Sequence, residues 1–157
     1  MNKPNQLRAH LATAIPELAR DPERLLVFIT DGHLAATYVP GLSFEYRYTL
    51  RLVVTDFTGH PDVLFVPLLE WLTRHQPELL ANPANREQIA FETEILHNHN
   101  VDVEIRLPLT ESVRVAKRAG GGFDIEHLPE PVPEERLHAG RWQLYLKDEL
   151  IAEWDAA

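Results

Sequence analysis

The run from Ser43 to Gly59, SFEYRYTLRLVVTDFTG, constrains this chain more than any other stretch. Phe44, Tyr46, Tyr48, Leu50, Leu52 and Val54 share one parity; Ser43, Glu45, Arg47, Thr49, Arg51 and Thr55 share the other. Strand side chains point alternately to opposite faces, so the pattern predicts one strand with a dry face and a charged face. From Phe44 to Thr55 it would reach roughly 40 Å, about twice the length of an ordinary strand. A chain of 157 residues that spends so many on one strand is built around a sheet.

The flanking patterns supply its company. Leu7, His10, Leu11, Ala14, Ile15 and Leu18 fall at helical spacing, and Pro16 predicts a kink or an end near Ile15. The sequence DPER reads as an N-cap and a single turn, and Asp31-Gly32 between LLVFIT and HLAATYV reads as a hairpin. Asp62 to His75 is helical by pattern, with Val63, Val66, Leu69 and Leu72 on one stripe, Leu68 and Trp71 beside it, and Pro67 bending it. QIAFETEIL and VDVEIRLPLT flank HNHN as a second hairpin; SVRVAK and FDIEHL flank RAGGG as a third. The order predicts an α+β fold: a mostly antiparallel sheet with two helices packed on one face, plus a C-terminal β-hairpin arm. Residues 1–128 would form the core domain, 129–140 a Pro/Glu-rich linker and 141–157 the arm, with RWQLYL and LIAEW as its strands.

Composition closes several routes. At 18.0 kDa, with 45% hydrophobic and 25% charged residues, the chain reads as one soluble globular domain. Cysteine is absent, which excludes disulfides and thiolate metal sites and fits a reducing compartment. The opening MNKPNQLRAH has no apolar h-region, and DVLFVPLLEWL is too short to cross a bilayer. A formal charge of −9 argues against sequence-independent nucleic-acid binding, since only VRVAKRAGGG has local basic density.

Chemistry finds little foothold. His97 and His99 in HNH could share one strand face and reach one ion, but no other ligand motif accompanies them, and Asn98 and Asn100 favour a polar turn. No nucleophile elbow or phosphate-binding glycine loop occurs, because AGGGF lacks the Lys-Ser/Thr pair that such a loop uses. Acids alternating with apolar residues in FETEI and VDVEI are what a wet sheet face carries. The reading is therefore of no catalytic residues, no metal and no cofactor. A small hydrolase stays open only if a pocket gathers perturbed acids or histidines.

Several uncommon strings occur in a fixed order: KPNQLRAHL, SFE-RYTL, VTDFTG, VP-L-WL, QP, LPLTE and LYLKDELIAEWD. On these the chain resembles the tail completion protein R family of peduovirus-type contractile-tailed bacteriophages, over nearly its whole length. The resemblance implies a structural virion protein, not an enzyme, that completes or terminates the phage tail. It would cap the tail tube and form the tail-side joint to the head. Likeness in size and element order to tail-terminator proteins implies a homohexameric ring. Its partners would be the tail tube, the sheath and the head-tail connector proteins. Genome DNA would pass through without specific binding, and no membrane would be involved. The place implied is the head-proximal end of the tail, after assembly in the host cytoplasm. A phage-tail-like bacteriocin or a monomeric interaction module would read the same from one sequence. The segment RAGGGFDIEHLPEPVP and the turn KDE depart from the pattern.

Interface residues follow from the residues themselves. Glu45, Arg47 and Arg51 lie on the wet face of the long strand, free for a neighbour or the tube. Trp142, Leu144, Leu146, Ile151 and Trp154 give the arm more apolar surface than a lone hairpin can leave in water. The arm is therefore expected to dock away from its own core, on an adjacent subunit or tail component, at the end of its extended tether. Leu7, Leu11, Leu18, Val66, Leu69 and Leu72 are expected to be buried against Tyr46, Tyr48, Leu50 and Leu52.

Overall fold

A computed structural model describes residues 1–36, 41–95, 100–131 and 140–155. Alternation wins where it was strongest. The long run forms β2 (Phe44–Phe57), 14 residues with Tyr48, Leu50, Leu52 and Val54 buried. It pairs antiparallel on one side with β1 (Leu25–Ala36) and on the other with β4 (Val101–Lys117), a strand of 17 residues. Two short strands share the far edge of β4: β3 (Ala90–Ile95) pairs with its first part and β5 (Phe123–His127) with its last. The predicted strands VDVEIRLPLT and SVRVAK are thus one continuous element, and both predicted hairpins on it form. The HNH histidines, His97 and His99, lie outside the described residues.

The Asp31-Gly32 hairpin does not form. Both halves of β1 run along β2, from Leu25 opposite Val54 to Ala36 opposite Phe44, with a register shift between Thr30 and His33. Asp31 sits at φ 51°, so the left-handed residue that would have opened a hairpin turn serves a β-bulge instead. The reason is tertiary: β2 offers β1 a partner along its whole length, and a hairpin would have left half of that edge unpaired.

One helical layer covers the dry face. α1 (Lys3–Ala14) and α2 (Pro16–Arg20) break at Ile15, as Pro16 requires. α3 (Asp62–His75) packs beside α1 and keeps Pro67 inside it, and α4 (Pro77–Ala81) follows. Leu7, Leu11, Leu18, Leu68 and Leu72 meet Leu50, Leu52, Ile105 and Leu107 in one core. Val66 and Leu69 do not join it. The buried arc of α3 runs through Val63, Leu64, Pro67, Leu68, Trp71 and Leu72, which leaves Val66 and Leu69 exposed on the outer side. The apolar arc of this helix is wider than the sheet can cover, and the best-packed stripe is the one offset by a residue.

Where β2 ends, the DFTG signature explains itself. Asp56 takes φ 52° at a second bulge, and Phe57 turns into the core. Glu17 Oε1 accepts from the Thr58 hydroxyl at 2.9 Å and Glu17 Oε2 pairs with Arg24 at 3.2 Å. A Cβ on Gly59 would lie 2.8 Å from the Phe57 ring, so this position has room for glycine alone.

The C-terminal strands β6 (Arg141–Leu146) and β7 (Glu149–Asp155) form their own antiparallel pair, as expected. Their docking differs from expectation. β7 packs against α1, Ala152 and Trp154 are buried in the domain's own core, and Leu144 and Ile151 lie half-buried against it. The hairpin seats on the outer side of the helical layer, where the nearest apolar surface is that of its own chain.

Candidate assembly interface

The eight residues singled out in the sequence fall on opposite sides of the molecule. Glu45, Arg47 and Arg51 point away from the helices, whereas Trp142, Leu144, Leu146, Ile151 and Trp154 belong to the hairpin on the helical layer. On the wet face Arg47 pairs with Glu45, and Arg51 donates to Glu104 Oε2 at 2.6 Å. Arg106 donates to the other oxygen of Glu104 at 2.8 Å and reaches Glu92 at 3.0 Å. The hydrogen bond from Arg51, joined by that from Arg106, holds the Glu104 carboxyl at about 2, well below the usual range. The Arg51 guanidinium also lies 5.5 Å from the centre of the Phe28 ring. This face is a lattice of exposed ion pairs, each worth little by itself.

On the other side Trp142 and Trp154 are cross-strand partners and, with Val66, Leu69, Leu80 and Thr73, line an apolar groove between α3 and the hairpin. Trp154 forms its floor at 5% exposure, and its indole Nε1 has no hydrogen-bond acceptor among the described residues. Leu146 is exposed beyond the groove.

A second apolar surface comes from strand length. The dry face runs past the helices: Leu34 lies opposite Tyr46, Ala36 opposite Phe44, Phe44 opposite Val113, and Val115 opposite Ile125. Leu34 on β1 and Ile125 on β5 are 66% and 67% exposed, and Phe123, two residues before Ile125 on the same face of β5, is also open. The hairpin tip that carries Ile125 is closed by Gly121 and Gly122, both at φ near 90°, a conformation glycine alone adopts easily. Sequence reasoning found the length of β2 but not this overhang, because alternation reports a dry face without reporting what covers it.

Between core and overhang sits a buried polar cluster that the sequence reading also missed. The Lys3 ammonium donates to Gln76 Oε1 at 2.7 Å, Thr110 O at 2.6 Å and Glu130 Oε1 at 2.6 Å, which satisfies all three of its donors. Glu111, on the dry face at 4% exposure, accepts from the Tyr48 hydroxyl at 2.6 Å and from Asn2 N–H at 2.7 Å. Burial acts to raise the Glu111 pKa, but these hydrogen bonds and the nearby N-terminal charge outweigh it and hold the carboxyl below its ordinary value. Burial, with the Glu111 carboxylate in contact, pushes the Tyr48 hydroxyl far up. Gln76 stands in for a strand: its Oε1 accepts from Thr110 N–H at 3.2 Å and its Nε2 donates to Thr110 Oγ1 at 3.1 Å, in the gap between β3 and β5. KPN, RYTL, QP and LPLTE, four of the strings that mark the chain, converge here. Their carboxylate and ammonium are spent on structure.

A sheet that outruns its helices, apolar surfaces at two places, and a buried Lys3 and Glu111 spent on internal hydrogen bonds make up the build of a structural assembly protein. Among the described residues no cluster of acids and histidines could hold a metal ion, and no helix is long and apolar enough to cross a membrane. The family model of P2 phage tail completion protein R (GpR) matches residues 1–131, and the chain belongs to that family. Tail completion protein R of Escherichia phage P2 is 36% identical over 156 residues, covering 99% of each chain. The match to this relative takes in the C-terminal hairpin, which the family model leaves out. No solved structure matches. Membership makes the chain a structural protein of a phage tail and not an enzyme.

Proposed function

We propose that the chain completes the tail by capping the tube at its head-proximal end and forming the tail-side joint to the head, as a six-membered ring. The observation that carries this reading is the apolar overhang: strands β1, β2, β4 and β5 extend beyond the helical layer with Leu34, Phe123 and Ile125 in the open. A family of tail completion proteins and a subunit with surface to cover both point to a closed assembly on the tube. In that ring the ion-paired face with Glu45, Arg47 and Arg51 meets the tube, and the groove face with Trp142 and Trp154 meets neighbouring subunits.

Three measurements test it. Phage lacking the gene should produce tails that fail to join heads, and electron microscopy of purified protein should show rings with six-fold symmetry. Replacing Arg47 and Arg51 by Glu should weaken tube binding while the subunit stays folded. Joined particles in the absence of the protein, or rings of another order, would overturn the corresponding part of the reading.

A further inference from the structure

We propose that copies of this chain associate head to tail, the bare apolar end of the sheet in one copy seating in the groove between α3 and the C-terminal hairpin of the next. The inference deepens the ring reading and rests on it for closure. The contact itself follows from the surfaces.

The overhang presents Leu34, Ile125 and Phe123, backed by Phe44 and Tyr46, on a projecting end of the sheet. The groove presents Val66, Leu69, Leu80 and the two tryptophans as a concave surface. A projecting and a concave apolar surface on one chain are complementary to each other and not to themselves. The open side of β5, an edge strand, adds unpaired backbone groups to the projecting surface.

Charge selects the same pairing. The tip from Val113 to His127 carries three cations, Arg114, Lys117 and Arg118, against two anions, although the whole chain stands at −9. The hairpin from Arg141 to Asp155 carries four anions, Asp148, Glu149, Glu153 and Asp155, against two cations. Pairing tip with tip or hairpin with hairpin would set like charges together, whereas tip on hairpin sets unlike charges together. Such a contact is heterologous. It leaves one free overhang and one free groove on any open assembly, so copies add until the rotation closes.

Sedimentation of the full chain decides. Ile125→Asp on the overhang and Leu69→Asp in the groove both alter exposed side chains, so thermal melts should show folded variants; Ile125→Thr and Leu69→Ser serve if either aspartate does not fold. Wild type should form a multimer, and each variant alone should sediment as a monomer, its dissociation constant raised roughly thirtyfold or more. The two variants mixed should form a one-to-one dimer and nothing larger, because one intact overhang and one intact groove remain. A multimer untouched by either substitution would overturn this contact and leave the ring standing on other surfaces. A wild-type species no larger than a dimer, lost in both variants and regained on mixing, would keep the contact and overturn the ring. Wild type that stays monomeric up to its solubility limit, or a mixture that stays monomeric, would overturn the contact.

Discussion

At the scale of single residues, the buried polar cluster sets how this protein responds to substitution and to acid. Glu111, itself buried, accepts from the Tyr48 hydroxyl and from the Asn2 amide. Glu111→Gln keeps the shape but loses a charged acceptor, and denaturant unfolding should show a loss of about 1–3 kcal/mol. His75, stacked 4.3 Å from the Trp71 ring, is held at about 4 by burial and then by the Lys3 charge, against an ordinary value of 6.5. Above pH 6.5 both folded and unfolded chains keep this ring neutral, and stability is at its full value. As pH falls from 6.5 to about 4 the unfolded chain takes up the proton first, so stability is lost through that window and no further below it. Because the ring is partly exposed, the loss should be about 1–2 kcal/mol and not the full value of the shift. Urea titrations at several pH values should show His75→Phe flattening this part of the curve. His10, lowered by burial, contributes in the same direction, whereas Glu111 lowers stability only once pH drops into the carboxylate range.

At the scale of elements, the same composition has different consequences on the two sides of α3. Leu68 is fully buried against the sheet, and Leu68→Ala should cost about 2–5 kcal/mol. Leu69, one residue on, faces the groove, and Leu69→Ala should change the unfolding free energy of the monomer by less than about 1 kcal/mol. Equal losses at the two positions would mean that the buried stripe has been misplaced. The turn after β2 admits a sharper test. Gly59→Ala drives a methyl against the packed ring of Phe57 and the Glu17 carboxylate, and melting should report a loss of about 1–3 kcal/mol.

At the scale of the whole molecule, the C-terminal hairpin is a wall of the domain as well as a side of the groove. Trp154→Ala should cost about 3–5 kcal/mol, since the indole is packed under its neighbours in the core. Truncation after Pro131 removes Trp154 and Ala152 together, and the shortened protein should melt at a lower temperature and expose apolar surface. A truncated chain as stable as the full one would place the hairpin's energetic role elsewhere. Any loss of tail joining on truncation therefore has to be separated from loss of folding, which the exposed Leu69 substitution allows and the truncation does not.

The sequence by itself determined the periods: the dry face of β2, the helix from Asp62 to His75, the break at Pro16, and hairpins on both sides of β4. Those follow from backbone geometry and local side-chain spacing, which operate within a few residues. Tertiary structure decided what local rules leave degenerate. Asp31-Gly32 suits a hairpin or a bulge equally, and the unpaired length of β2 chose the bulge. The apolar arc of α3 was wide enough to bury Val66 and Leu69 or to leave them out, and the offset of the helix on the sheet chose the second. Trp154 could have sought a neighbour, but its own α1 lay within reach. Lys3, Tyr48, Gln76 and Glu111 carry no joint signal in sequence, because positions so far apart in the chain acquire a common environment only when the sheet and helices close around them.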